Sequence, residues 1–297
     1  MPQGQSSIAI VIVSFNVEAL LKECIESVCR ETTEAAFEIW VVDNHSRDGS
    51  VAMVKQNFPD VHLIENDQNV GFPKANNQAI IQCTSDYILL LNPDTVVRDG
   101  AIDKMVRFMD EHPDVGVSGC RVLNADGSLQ LACRRSIPTP KVAFYRLTGL
   151  SRLFPNSKTM ARYNLTYLDP NEPNEVDAVS GAFLVIRKSV VDAIGVLDEN
   201  FFIYGEDMDW CVRAKKAGWK VMYYPHAQII HYKGVGCRTN NRKTTYEFYR
   251  AMVLFHKKHF ARECSCLTNL VVYVGIFLTA MLAWRRWLFN AKPGPGK

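Results

Sequence analysis

The chain opens with short apolar runs separated by stretches of helical spacing. Ile8 to Ser14 is a β-rich run, and Val17 to Cys29 places Leu20, Leu21, Cys24, Ile25 and Val28 on one helical face. Phe37 to Asp43 predicts a second strand ending in Asp-Asn-His-Ser, followed by a helix from about Gly49 to Phe58. A short strand over Val61 to Glu65, a helix over Gly71 to Cys83 and a strand over Tyr87 to Leu91 continue the alternation. Strands alternating with helices at this spacing predict an α/β fold with a largely parallel sheet and right-handed crossovers.

Beyond Leu91 the pattern predicts a helix over Ala101 to Glu111 and a strand over Val115 to Arg121. From Asn124 to Pro173 the order loosens, with Pro138, Pro140, Pro155 and Pro170 among basic residues, which reads as a loop region over a site. Regular structure returns as a run from Val176 to Arg187, a helix from Glu206 to Ala217 stopped by Gly218, and closing strands at Lys220 to Tyr224 and Gln228 to His231. Thr244 to Arg262 predicts a helix that interleaves aromatic and basic residues, which suits an anionic membrane surface or an aromatic packing face. Leu267 to Trp284 then runs for eighteen residues without a charge and is followed by Arg285-Arg286-Trp287. That length sits at the lower edge for crossing a bilayer core of roughly 30 Å, so a span, a re-entrant hairpin, an in-plane helix and a buried core helix stay open. The tail has two Pro and two Gly and reads as disordered.

Composition narrows the class. A chain of 297 residues, 47% hydrophobic and 22% charged, can bury a substantial core, and a net charge of +3 is too mild to argue for nucleic acid. Nine cysteines with no CxxC pair read as reduced thiols rather than a zinc site or a disulfide framework, and the polar N-terminus that passes straight into a strand reads as lacking a secretory signal.

The candidate chemistry lies where predicted strands end. Ser14-Phe15-Asn16, Asp43-Asn44-His45-Ser46, Asn69 to Asn77 and Asn92-Pro93-Asp94 would line one edge of a parallel sheet, where open α/β sheets build ligand sites. Neither a dinucleotide fingerprint nor a P-loop occurs, so a phosphate ligand would be held through a cation on a carboxylate, with Asp94 the candidate and Lys74 an auxiliary charge. Glu206, Asp207 and Asp209 open a predicted helix, where acids are favoured as caps in any protein.

Taken in order, Ile10 to Asn16, Val41 to Ser50, Asn69 to Asn77, Leu90 to Asp94 and Gly205-Glu206-Asp207-Met208-Asp209-Trp210 resemble the family 2 inverting glycosyltransferases of the GT-A fold, in particular the bacterial rhamnosyltransferase-like branch. The resemblance covers roughly residues 8 to 260. It implies a GT-A domain over 1–240 with a donor half at about 1–123 and an acceptor half at about 124–240, then membrane-associating helices over 241–290 and a disordered tail over 291–297. It implies that Ser14 and Asn16 line the nucleotide pocket, that Asp43 and Asn44 meet the pyrimidine, and that Asn69, Gly71 and Lys74 contact base, ribose or diphosphate. Asn92-Pro93-Asp94 stands where the family carries its metal motif, with Asn at the first position, so Mg2+ or Mn2+ is expected chiefly on Asp94. His231 is a candidate third contact or a structural histidine. Asp207 is the expected general base, Gly181 lies beside the donor sugar, and Glu206 and Trp210 fall on the acceptor side, Trp210 stacking on a sugar or serving as core.

The same resemblance implies one sugar transferred with inversion from a nucleotide-diphosphate donor, dTDP-L-rhamnose or alternatively a UDP-hexose. The acceptor would be a polyprenyl-diphosphate-linked saccharide at the cytoplasmic face of a bacterial inner membrane, the protein being peripheral or single-anchored there. The Gln-x-x-Arg-Trp motif of processive relatives is absent, which implies single additions. Two rivals are a nucleotidyltransferase, whose Gly-rich basic loop after the first strand is missing, and a non-catalytic nucleotide-sugar-binding membrane protein, supported by Asn92.

Overall fold

The computed structural model describes residues 6–232 and 241–290. The tail at 291–297 lies outside them, as does Cys237; the eight described cysteines are free thiols.

The first half follows the alternation: β1 (Ile8–Ser14), α1 (Glu18–Glu31), β2 (Phe37–Asp43), α2 (Ser50–Asn57), β3 (His62–Glu65), α3 (Phe72–Ile80) and β4 (Tyr87–Leu91). Every residue of β1 and β4 is buried, as expected of parallel strands covered by helices on both faces. β3, β2, β1 and β4 are neighbours in that order and all parallel, so their four carboxyl ends lie along one edge.

The second half contributes β5 (Thr95–Arg98), α4 (Ala101–Glu111), β6 (Val115–Leu123), β7 (Arg134–Arg135), α5 (Pro140–Leu147), α6 (Leu150–Leu153), β8 (Asn174–Glu175), β9 (Ala178–Val179), β10 (Phe183–Arg187), α7 (Lys188–Ile194), α8 (Glu206–Lys216) and β11 (Lys220–His231). The sheet runs β3-β2-β1-β4-β10-β6-β11-β5, with β8 beside β11. Its second half departs from the parallel pattern, because β10 lies antiparallel between β4 and β6, and β5 lies antiparallel on β11. The run over Val176 to Arg187 divides into β9 and β10 at Ser180-Gly181-Ala182, which turns the chain into the site. The two closing strands are one, with a register shift between Tyr224 and Gln228. Pro225 falls in that interval, and a proline cannot donate to the ladder.

Two helices complete the described chain, α9 (Asn241–His259) and α10 (Cys266–Asn290). Tyr249 donates to the Thr279 carbonyl at 3.1 Å, and His256 Nε2 lies 2.8 Å from Asn269 Oδ1, so the two form a hairpin. α9 in turn joins the body at α8, where Lys258 Nζ and His259 Nε2 each lie 2.7 Å from Asp209 Oδ1. The core-helix reading of Leu267 to Trp284 fails. Within Cys266–Arg285, long and apolar enough to cross a membrane, Ile276 alone is buried, while Leu267, Val271 and Phe277 are more than half exposed.

Candidate active site

Hydrogen bonds knit the strand-end clusters into one platform. Asp43, at the end of β2 and buried, accepts from Ser46 N at 2.8 Å through Oδ2, while its Oδ1 has no partner. Asn16 sits at φ +54, in the left-handed region that asparagine tolerates better than most residues, and accepts from Arg47 N at 2.7 Å. Asn44 spans two loops: its Nδ2 donates to Asn69 Oδ1 at 3.1 Å and its Oδ1 accepts from Val70 N at 3.0 Å. Asn69 Oδ1 also accepts from Gly71 N at 3.1 Å. Gly71 is required by geometry, since φ is +91 and a Cβ would come within 2.8 Å of the Phe202 ring and carbonyl. Ser14 is fully buried, with its Oγ unpartnered. A buried acceptor without a partner costs about 1–3 kcal/mol, which a bound ligand would offset. Lys74 lies exposed in the first turn of α3, making no ion pair among the described residues.

Asp94 and His231 meet at the end of β4. Asp94 Oδ1 is 3.1 Å from His231 Nε2, both side chains about one-tenth exposed, and Asn92 Nδ2 lies 3.3 Å from the same nitrogen. The tautomer follows from Gln130, which the sequence reading did not single out. Its Nε2 donates to the His231 carbonyl at 2.8 Å, and a carbonyl can only accept, so Oε1 is the atom facing His231 Nδ1 at 3.0 Å. Nδ1 therefore carries a proton, and the 3.1 Å approach of Nε2 to the Asp94 carboxylate needs a positive centre between the two atoms, supplied either by a second ring proton or by a cation in that proton's place. Adjacent ligands of an octahedral ion at about 2.1 Å stand about 3.0 Å apart, so the pair fits a divalent cation. No cluster of three or more His, Cys, Asp or Glu side chains suited to a metal occurs among the described residues.

Asp207 lies in the first turn of α8, in a different arrangement. Its Oδ2 accepts from Arg135 Nη2 at 2.6 Å and from Gly181 N at 3.1 Å, while Oδ1 accepts from Met208 N at 2.7 Å. Both lone pairs of Oδ2 are thus engaged and one remains on Oδ1, the atom with capacity for an incoming hydroxyl. Arg135 is a second residue missed by sequence reasoning, and its signal was its place in the basic stretch before α5. Glu206 beside it is buried with Oε2 unpartnered; burial first, and the Asp207 charge second, push its carboxyl up to about 8. Trp210 is core: it is fully buried and its Nε1 donates to the Gly195 carbonyl at 2.9 Å, so it presents no face for a sugar.

One dipeptide links the two halves. Asn92 N donates to the Ala182 carbonyl at 3.1 Å, and the neighbouring Gly181 N holds Asp207. The family model for glycosyl transferase family 2 matches residues 9–195. The chain belongs to that family and is a glycosyltransferase.

Among its relatives, the N-acetylglucosaminyl-diphospho-decaprenol L-rhamnosyltransferase of Mycobacterium tuberculosis is 29% identical over 68% of this chain and 68% of that one. The rhamnosyltransferase WbbL of Escherichia coli is 26% identical over 75% of this chain and 82% of its own. The crystal structure of GalNAc-T7 with UDP, GalNAc and Mn2+ superposes with a TM-score of 0.61 at 16% identity, over 85% of this chain and 48% of that chain. That likeness establishes the GT-A fold.

Proposed function

We propose that this glycosyltransferase moves one rhamnose, with inversion and without processive addition, from dTDP-L-rhamnose to a polyprenyl-diphosphate-linked saccharide in bacterial surface polysaccharide synthesis. Rhamnosyl transfer to a lipid diphosphate is what the name of the mycobacterial relative states of that protein. The observation that carries the reaction type is the Gly181-Ala182 link, which sets the Asn92–Asp94 turn and Asp207 on either side of one peptide unit. A single displacement needs this: charge stabilisation at the leaving diphosphate, and a carboxylate beyond the anomeric carbon.

On this reading residues 1–123 hold the donor. Ser14, Asn16, Asp43, Asn44, Asn69 and Gly71 line the nucleotide platform, with Lys74 available to the diphosphate and Gly181 beside the sugar. Asp94 and His231 would hold Mg2+ or Mn2+, which when bound neutralises the charge of the departing diphosphate, and Asn92 supports that turn. Residues 124–240 receive the acceptor: Asp207 takes the proton of the attacking hydroxyl at Oδ1, Arg135 holds the carboxylate in place, and Glu206, its carboxyl raised by burial, lies beside it. α9 and α10 would fix the enzyme to the cytoplasmic face of the inner membrane, by a single span or peripherally.

The test is release of nucleoside diphosphate from a panel of sugar nucleotides, with and without Mn2+, by protein purified in detergent and supplied with lipid extract. Turnover of dTDP-L-rhamnose alone, lost in Asp94→Ala and Asp207→Asn, is the expected result. Turnover of a UDP-hexose instead would reassign the donor, and binding of a donor without any turnover would overturn the catalytic reading.

A further inference from the structure

The stretch before β8 has a composition of which the proposed catalysis uses Arg135 alone. From Gly127 to Leu168 the chain carries seven basic residues and no acidic one. Arg134 and Arg135 are committed internally, to the Leu168 and Asp169 carbonyls and to Asp207. The other five, Lys141, Arg146, Arg152, Lys158 and Arg162, are exposed, and none is in an ion pair among the described residues. Amid them α5, α6 and the residue that follows α6 present Phe144 at 56%, Leu147 at 52%, Leu153 at 72% and Phe154 at 50% exposure. The helices are nonetheless built into the fold: Thr139 caps α5 by accepting from Val142 N at 3.3 Å, Val142 is buried, and Gly149 at φ +79 turns the chain between them. Four large apolar side chains within eleven residues are more than a solvated loop requires, and their cationic surroundings select the partner.

We infer that residues 140–158 form a second lipid-contacting surface, separate from α10, that docks on an anionic bilayer. Phe144, Leu147, Leu153 and Phe154 enter the headgroup boundary, and Lys141, Arg146, Arg152 and Lys158 meet lipid phosphates. The surface begins five residues after Arg135, which touches Asp207, so docking places the acceptor half of the site beside the membrane. The inference stands on this segment and is independent of the sugar moved; only the control in its test rests on the proposed membrane contact of α10.

Hydrogen exchange of the full chain, read by mass spectrometry with vesicles of pure phosphatidylglycerol or pure phosphatidylcholine, tests it peptide by peptide. Amides of 141–158 should slow tenfold or more on phosphatidylglycerol and stay unchanged on phosphatidylcholine. Each basic residue at an anionic leaflet contributes about fivefold in partitioning, so Lys141→Glu/Arg152→Glu/Lys158→Glu should weaken this contact by at least about a hundredfold. Protection of 266–285 should survive in that variant, which shows that vesicle binding itself is intact. Three results would overturn the inference: phosphatidylglycerol protecting 266–285 while 141–158 exchanges as in solution, equal protection of 141–158 on both lipids, or protection of 141–158 that rises with protein concentration in the absence of vesicles, which would mark a contact between copies.

Discussion

The Arg135–Asp207 pair separates catalysis from folding in one set of variants. Its side chains are 13% and 12% exposed and joined at 2.6 Å, so solvent screens the pair little. Removing one partner of a buried pair costs about 3–5 kcal/mol, chiefly because the other charge is left behind. Asp207→Asn keeps the shape, and its one oxygen can still accept from Gly181 N and Arg135 while the bond from Met208 N is lost, which sets the cost at about 3 kcal/mol. At about 2–4 °C per kcal/mol for a domain of comparable size, its melting point should fall by about 6–12 °C. Arg135→Met should destabilise similarly by leaving the carboxylate uncompensated, whereas the double variant should recover about 2 kcal/mol relative to the sum of the two. Activity should follow a different rule. If Asp207 is the base, turnover falls about 10²–10⁴-fold in Asp207→Asn and is not restored in the double variant, despite the recovered stability. Paired thermal melts and donor-turnover assays on the four proteins read both quantities. Near wild-type turnover in a correctly folded Asp207→Asn protein would refute the base assignment, and a coupling below about 0.5 kcal/mol would refute the account of the pair.

Three further perturbations address neighbouring side chains. Gln130→Leu frees the His231 ring to take the other tautomer, and Mn2+ affinity measured calorimetrically with nucleoside diphosphate present should fall about 10–100-fold, the usual effect of losing such a supporting contact. Trp210→Phe loses the bond to the Gly195 carbonyl, so it should cost about 1–2 kcal/mol in denaturant unfolding while leaving the KM for acceptor unchanged. Glu206 is raised by burial and the Asp207 charge, so the folded protein retains a proton that the unfolded chain releases; stability should fall as pH rises from about 4.5 to about 8, and Glu206→Gln should flatten that slope in melts across pH.

Much of the donor side was legible because its signals are local. β1, β2 and β4 are apolar runs that end abruptly in short polar side chains, and consecutive parallel strands bring such ends to one edge. Asp43, Asn44, Asn69 and Gly71 meet for that reason. The antiparallel insertion of β10 was not legible, since an apolar run such as Phe183–Arg187 carries no mark of its direction or neighbours. Gln130 had no pattern at all: its role depends on a carbonyl and a ring nitrogen a hundred residues later in the chain. Trp210 was open between sugar platform and core because a helical aromatic has both uses, and only the Gly195 contact distinguishes them.

The first turn of α8 shows why the acidic motif was harder to read than its residue types suggest. Glu206, Asp207 and Asp209 share one helix N-terminus and hence one dipole, yet they end in three electrostatic states. Glu206 finds no partner for Oε2 in a buried position, and burial with the Asp207 charge beside it pushes its carboxyl up to about 8. Asp207 meets Arg135 from β7 and the Gly181 amide from the turn before β10. Asp209 is fully buried, but hydrogen bonds from His259 and Lys258 and the Arg213 charge outweigh burial and bring its carboxyl down to about 2. The common dipole cannot separate them; their surroundings do, with Arg135 of β7 on Asp207, Lys258 and His259 of α9 on Asp209, and no partner on Glu206 Oε2. A carboxyl raised by burial, an ion-paired carboxylate and a fixed anion that latches α9 onto the same helix are therefore tertiary properties. The latch also has a mechanical consequence, because Lys258 and His259 end the helix that leads to α10, and they grip α8 two residues beyond Asp207. Whatever holds α10 thereby bears on the turn that carries the proposed base.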